Sequence, residues 1–370
     1  MKLLHVVGAR PNFMKVAPVI RVGQAVTGLA QVLVHTGQHY DPAMSDSFFQ
    51  DLGLPAPDEN LGVGSGTHAE QTARIMLAFE PVLDRHAPDW VVVYGDVNST
   101  IACALVAVKK GIRIAHVEAG LRSRDRTMPE EINRILTDQL ADLLLTPSRD
   151  GNENLAAEGI PASRVHLVGN VMVDTLLRLR ETAAKRGMPE QLGVKERDYA
   201  FVTLHRPSNV DDRDTLSELL AALDDLGSRM PVLFAVHPRT RRRISEFGLK
   251  APNGPVRLLD PLGYLETINL VDGAALVLTD SGGLQEETTV LGVPCLTARP
   301  STERPVTITQ GTNRLVASRR EAIAEAVVDL LARRARGSFH PGKPEGWDGR
   351  AGERVIAALL QSGTTVASTT

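Results

Sequence analysis

The stretch TDSGGLQEE at positions 279–287 follows the apolar run AALVL at 274–278. A short continuous apolar run that ends in Thr-Asp-Ser-Gly-Gly reads as a buried parallel strand turning directly into a helix. Ser281, Gly282 and Gly283 fall where that helix begins. Glycine there lets backbone approach a ligand closely, and the first N–H groups of the helix, at the positive end of its dipole, suit a phosphate or diphosphate. The competing reading is a glycine turn capped by Ser281, and a Gly-rich turn alone does not separate the two. Glu286 and Glu287 favour a ligand site with two kinds of group: both carboxylates would repel a phosphate unless one points elsewhere, and a ribose or sugar hydroxyl suits the other.

Outward from this stretch the same rhythm fills both halves of the chain. Strand-like runs at 2–8, 31–37, 89–96, 113–120, 142–148 and 164–170 alternate with helical patterns. A charged helical segment from 171 to about 197 then leads to a second set at 199–205, 232–237, 256–260, 275–281, 294–299 and 312–317. The pattern predicts an α/β protein with two Rossmann-like, doubly wound parallel sheets in succession. A chain of 370 residues suits two domains. Their predicted limits are 1–170 and 171–351, with the helical pattern from 352 packing back on the first domain and the polar QSGTTVASTT fraying at the end.

With 43% hydrophobic and 23% charged residues and a net charge of −3, the chain has no global field that favours nucleic acid or a membrane. An anionic ligand must therefore be held by local groups. No run reaches the length of a membrane span, and the opening KLLHVVG lacks the charged, apolar and small-residue regions of a signal peptide, so a cytoplasmic location is expected. Cys103 and Cys295 stand far apart in apolar surroundings, which predicts packed thiols rather than a disulfide or a metal site. Zinc-ligand spacings, a Walker loop and a GxGxxG fingerprint are all missing.

Polar residues gather where the strand-like runs end: Arg10, His39, Asp96 and Glu118 in the first half, His205, His237 and the 280–283 turn in the second. Open parallel sheets bind ligands at that edge, and two sheets facing across a cleft would bring both sets onto one ligand. In GARPNFMK, Arg10 and Lys15 put two cations near a helix start, for a phosphate or carboxylate or simply for solvent. Asp96 in YGDVNST either serves a ligand or caps the next helix. In HVEAGLRSRDRTMPEEINR, Glu118 ends a strand, Arg122, Arg124 and Arg126 follow, and Glu130 and Glu131 open a helix; a salt bridge from Glu118 to those arginines is the alternative to chemistry. Asp96, Glu118 and Glu130 would supply the acid and base for proton transfer at carbon if their surroundings set them to different protonation states. His205 in TLHRPSN is suited to protonate or hydrogen-bond a departing phosphate. The arginines at 239 and 241–243 read as a solvated helix face, because no aromatic residues interleave them. Arg304, beyond another strand end, meets either a phosphate or sugar or its neighbour Glu303.

Taken in order and spacing, GARPNFMK, TGQHYD, YGD, HVEAGLRS, MPEEINR, TLHR, TDSGGLQEE and TERP resemble the non-hydrolysing UDP-N-acetylglucosamine 2-epimerases over residues 1–318. The resemblance implies the two-domain glycosyltransferase-B fold, with the nucleotide mainly on the second domain. It implies that Ser281, Gly282, Gly283 and Glu287 hold UDP, with Glu287 on the ribose hydroxyls. Arg10, Lys15, His205 and Arg304 would surround the diphosphate or sugar, and Asp96, Glu118 and Glu130 would be the catalytic carboxylates, assisted by His205. The implied reaction removes the C2 proton as UDP leaves, gives 2-acetamidoglucal, and re-adds UDP with protonation from the other face. It implies no redox cofactor and no metal, UDP-N-acetylglucosamine and UDP as ligands, a homodimer, and supply of activated N-acetylmannosamine to cell-surface polysaccharide.

The chain departs from the family pattern at three places. Pro207–Ser208 follows His205–Arg206 where many relatives have a polar residue and Glu, and Thr267 stands where an aromatic residue often stacks on uracil. The segment Tyr40–Asp41–Pro42–Ala43–Met44 replaces a Gln-rich one that touches an activating second substrate, which predicts weak or absent activation by substrate. TGQHYD and MPEEINR also occur in UDP-2,3-diacetamido-2,3-dideoxyglucuronate 2-epimerases, the alternative enzyme, although Arg304 in TERP is similar to the N-acetylglucosamine branch. A glycosyltransferase of the same architecture would need an acceptor and would leave C2 untouched.

Overall fold

A computed structural model describes the protein over residues 1–38 and 51–364, apart from the side chains of Arg10 and Thr364. His39 and the segment from Tyr40 to Met44 lie outside the described residues. The described residues of Met1–Arg178 and Glu345–Thr370 pack as one compact unit and those of Leu179–Pro344 as another.

In the first unit the elements run β1 (Lys2–Val7), α1 (Arg10–Gln24), β2 (Ala30–His35), β3 (Glu59–Asn60), α2 (His68–His86), β4 (Trp90–Tyr94), α3 (Asn98–Lys109), β5 (Arg113–Val117), α4 (Pro129–Leu140), β6 (Leu143–Thr146), α5 (Arg149–Ala157), β7 (Val165–Leu167) and α6 (Val171–Ala184). The strands form one parallel sheet in the order β3-β2-β1-β4-β5-β6-β7. Every residue of β4 is buried, as expected when helices cover both faces of a parallel sheet. The two-residue edge strand β3 goes beyond the sequence reading, being too short to carry a period.

The second unit continues with α7 (Met188–Gln191), β8 (Ala200–Thr203), α8 (Pro207–Val210), α9 (Arg213–Gly227), β9 (Val232–Ala235), α10 (Pro238–Glu246), β10 (Val256–Leu259), α11 (Tyr264–Asp272), β11 (Leu276–Thr279), α12 (Gly282–Leu291), β12 (Cys295–Ala298), α13 (Val306–Thr309), β13 (Asn313–Val316) and α14 (Arg320–Ala335). Its six strands are parallel in the order β10-β9-β8-β11-β12-β13. β11, the run that announced the fold, lies at the centre and is buried throughout.

The chain then returns to the first unit as α15 (Ala351–Thr364). Asp174 on α6 accepts hydrogen bonds from the Ala351 and Gly352 N–H groups at 3.0 and 2.8 Å, satisfying donors that a helix start leaves over. Trp347 is buried and donates its indole N–H to the Pro147 carbonyl at 2.9 Å. Both cysteines are buried thiols, and burial raises both pKa values, that of Cys295 to about 11. Among the described residues no helix is long and apolar enough to cross a membrane.

Candidate active site

The order of the first sheet reverses between β1 and β4, and the turns leaving those strands form the crevice where such sheets bind ligands. Asn12 fixes the turn after β1 by accepting from the Gly8 and Ala9 N–H groups at 3.2 and 3.0 Å and donating to the Tyr94 carbonyl at 2.9 Å. One turn further on α1, Lys15 is buried with its Nζ 2.8 Å from Glu118 Oε1, and Glu118 is buried as well. Glu118 thus faces this lysine, while Arg122 of its own loop is spent on Asp138 and, through two 2.7 Å bonds, on Glu158. Gly95 has φ +64°, and a Cβ there would fall 2.5 Å from Lys15 Nζ, so glycine is what admits the lysine. Glu118 itself has φ +73°, a strained conformation for a residue with a side chain, of the kind that gathers at functional turns.

The N-cap position of α3 is taken by Val97 rather than Asp96, and the Val97 side chain makes no capping bond. Asp96 Oδ2 accepts from Arg134 Nε at 2.9 Å, and the Asp96 carbonyl accepts from Asn133 Nδ2 at 2.9 Å. Glu130, in the first turn of α4, is half-buried, and with Asp96 it lines a cavity of about 330 Å³ to which Gln38, His68, Asn98 and Asn133 also contribute. That volume is at the small end of ligand pockets. Glu131 turns the other way, accepting the Ser123 and Arg124 N–H groups at 2.9 and 2.8 Å and pairing with Arg134. The structure thus brings Asp96 and Glu130 to one cavity, while Glu118 lies against Lys15.

In the second unit the switch falls between β8 and β11. Fully buried Asp280 accepts from the backbone N–H groups of His205 and Arg206, both at 2.9 Å, and from Asn209 Nδ2 at 3.0 Å. His205 Nδ1 sits 3.0 Å from Asp280 Oδ1, which orients the ring and leaves Nε2 for another partner. Burial would raise the Asp280 carboxyl, but His205, the Arg206 N–H and Asn209 outweigh it and hold the group below its ordinary value. The His237 ring lies 5.5 Å from that of His205; burial first, then the neighbouring His205, lowers its pKa.

Ser281 begins α12 without a capping bond from its side chain, which sets aside the simple capped-turn reading. Glu286 points away from the helix start to Arg304 Nε at 2.8 Å, and Arg304 also pairs with Glu303. Glu303 is shared with Arg299 Nη2 at 2.8 Å and lies 3.8 Å from Arg206 Nη2. Burial would raise the Glu303 carboxyl, but Arg304, Arg299 and Arg206 hold it far below the usual carboxylate range. Arginine gathered beside a helix start favours an anion. Glu287 is buried on the same helix. A Cβ at Gly282 would lie 2.7 Å from Arg304 Nη1 and 2.9 Å from Glu303 Oε1. Gly282→Val is therefore expected to push the Arg304 head from its place and weaken UDP binding about tenfold by calorimetry.

Glu303 and Asp280 also set an acid limit. Both carboxyls have folded-state values below their ordinary ones, so the stability they add is complete above about pH 4.5 and drains as pH falls through the folded values. Melting scans from pH 6 to 3 should show a falling melting temperature below about pH 4, with a shallower fall for Asp280→Asn.

The arginines of α10 form no open basic face: Arg239 and Arg243 pair with Asp211, Arg241 with Asp260, and Arg242 with Glu246. Asp280, Arg134, Asn133, Asp138 and His116 were not singled out for roles by sequence reasoning. Their signal is burial of polar groups, which appears only once the strand ends are assembled.

A family model described as UDP-N-acetylglucosamine 2-epimerase matches residues 23–360. The UDP-N-acetylglucosamine 2-epimerase of Methanocaldococcus jannaschii is 41% identical, over 97% of this chain and 99% of its own. The UDP-2,3-diacetamido-2,3-dideoxy-D-glucuronate 2-epimerase of Pseudomonas aeruginosa is 43% identical, over 98% of this chain and all of its own (100%). The crystal structure of the M. jannaschii enzyme in complex with UDP-GlcNAc and UDP superposes with a TM-score of 0.88 at 40% identity, covering 98% of this chain and 100% of that one. The two doubly wound units are those of the glycosyltransferase-B fold. On these grounds the chain belongs to the UDP-N-acetylglucosamine 2-epimerase family.

Proposed function

We propose that the protein interconverts UDP-N-acetylglucosamine and UDP-N-acetylmannosamine by inverting C2. The observation that carries the reading is the carboxylate set on the first unit's strand ends, Glu118 paired with Lys15 and Asp96 with Arg134 beside Glu130. Neither glycosyl transfer nor mere binding calls for so many acids at one sheet edge. A carboxylate takes the C2 proton, the C1–O bond breaks with its electron pair leaving on the β-phosphate, and 2-acetamidoglucal remains. UDP then adds back at C1 while a second acid delivers a proton to the opposite face of C2, so the step balances without a redox partner. Exclusion of water keeps the glycal from being lost.

UDP is assigned to the second unit: Ser281, Gly282 and Gly283 at the start of α12 for phosphate, Glu287 for ribose hydroxyls, and His205 and Arg304 for the departing diphosphate. Arg10 and Lys15 serve the diphosphate or the sugar. Asp96, Glu118 and Glu130 are the proton-transfer groups, and a homodimer in the cytoplasm that supplies a cell-surface polysaccharide completes the picture the resemblance implies. Incubation with UDP-N-acetylglucosamine followed by proton NMR should show the manno epimer accumulating alongside the gluco form. Free N-acetylmannosamine and UDP would instead mark a hydrolysing enzyme.

The 43% identity with the P. aeruginosa enzyme supports a second reading, epimerisation of the diacetamido-uronate. Arg304 in the TERP run is similar to the N-acetylglucosamine branch and favours the first reading. The N-acetylglucosamine substrate is therefore expected to have the higher kcat/KM, by about tenfold or more when both are assayed together.

A further inference from the structure

We propose that Asp138 is a positioning residue that locks the turn carrying Asp96 and the turn carrying Glu118 into one arrangement; this rests on the proton-transfer roles assigned to those two acids. Asp138 is fully buried on α4. Its Oδ2 accepts from the Gly120 N–H at 3.1 Å, in the turn just after Glu118, and from Arg122 Nη2 at 2.7 Å. Its Oδ1 lies 2.7 Å from His116 Nδ1, and the other ring nitrogen, Nε2, reaches the Gly95 carbonyl at 2.8 Å. A carbonyl only accepts, so Nε2 carries a hydrogen. One carboxylate therefore grips the Glu118 turn directly and the peptide before Asp96 through an imidazole. The Gly95 N–H closes the loop by donating to the Val117 carbonyl at 3.0 Å. The same helix carries Glu130 and, through Asn133 and Arg134, holds the carbonyl and carboxylate of Asp96.

This arrangement makes the contacts of Asp138 matter more than its charge. An asparagine keeps the geometry and gives up only the charge facing Arg122, which retains Glu158: its oxygen stays beside the Gly120 N–H and Arg122, and its amide donates to His116 Nδ1 while Nε2 keeps its hydrogen. Alanine keeps none of these contacts, and His116→Phe cuts the Gly95 arm alone. With the full chain and UDP-N-acetylglucosamine, Asp138→Asn should hold kcat within about threefold of the parent, whereas Asp138→Ala and His116→Phe each lose about 30-fold or more in kcat with KM and the calorimetric UDP affinity within about threefold.

Amide hydrogen exchange read without substrate should show faster exchange at 95–97 and 118–121 in those two variants, and parent rates in Asp138→Asn. Folded Asp138→Ala or His116→Phe with parent-like kcat would overturn the proposal. So would an Asp138→Asn as slow as the alanine variant, or a loss that appears in KM alone. Failure of both disrupting variants to fold while Asp138→Asn folds would make Asp138 a stability residue and overturn it too. A parent enzyme that turns over neither nucleotide sugar defeats the proposed function separately. The exchange pattern then decides the clamp alone, and unchanged rates at both turns would refute it.

Discussion

Glu118→Gln is expected to lower epimerase turnover by about a thousandfold while leaving UDP affinity within about threefold of the parent, because the amide keeps the shape and cannot take a proton. Lys15 sharpens the expectation. Its ammonium is buried 2.8 Å from Glu118 and has an anion there to face. Breaking a buried pair by removing one partner costs more than removing both, so Glu118→Gln should also cost about 3 kcal/mol of stability. Adding Lys15→Met to Glu118→Gln should recover most of that stability in urea unfolding and none of the turnover. Recovered turnover in the double variant would mean that Glu118 serves only to hold the lysine.

Arg304→Met should produce the largest combined loss in the second unit. Glu303 and Glu286 are both nearly fully buried, and each has an oxygen on the Arg304 guanidinium. Withdrawing the guanidinium is expected to cost about 3 kcal/mol, or roughly 8 °C in melting temperature at neutral pH. UDP-N-acetylglucosamine affinity should fall together with it, by about a hundredfold if the guanidinium also meets the diphosphate. Differential scanning calorimetry with and without UDP separates the two effects. A variant as stable as the parent would show that Arg299 and Arg206 suffice for Glu303.

Much of this was legible in the sequence because parallel sheets write themselves plainly. The buried runs and the Gly-rich exit at 279–287 marked β11 and the start of α12 almost to the residue. The carboxylates were legible as strand-end residues, since Asp96 and Glu118 follow β4 and β5 by two residues and one. Their partners were not, because contacts across the sheet edge depend on strand order. Lys15 and Glu118 are separated by 103 positions and meet only because β1, β4 and β5 are neighbours. For the same reason the arginine loop after Glu118 looked like its counter-charge, when Arg122 in fact belongs to Asp138 and Glu158. Asp280 was placed only among the polar residues at strand ends, because its hold on His205 and Arg206 needs β8 alongside β11.

Everything proposed for this protein turns on whether its acids handle the hydrogen at C2 of a nucleotide sugar. The most direct measurement is proton NMR of UDP-N-acetylglucosamine incubated with the enzyme in deuterium oxide. The expected result is loss of the C2 proton signal in both epimers at equilibrium, with the rate collapsing in Asp96→Asn and Glu118→Gln. Retention of the C2 proton by both this substrate and the diacetamido-uronate, or exchange that runs at the parent rate in both variants, would contradict it.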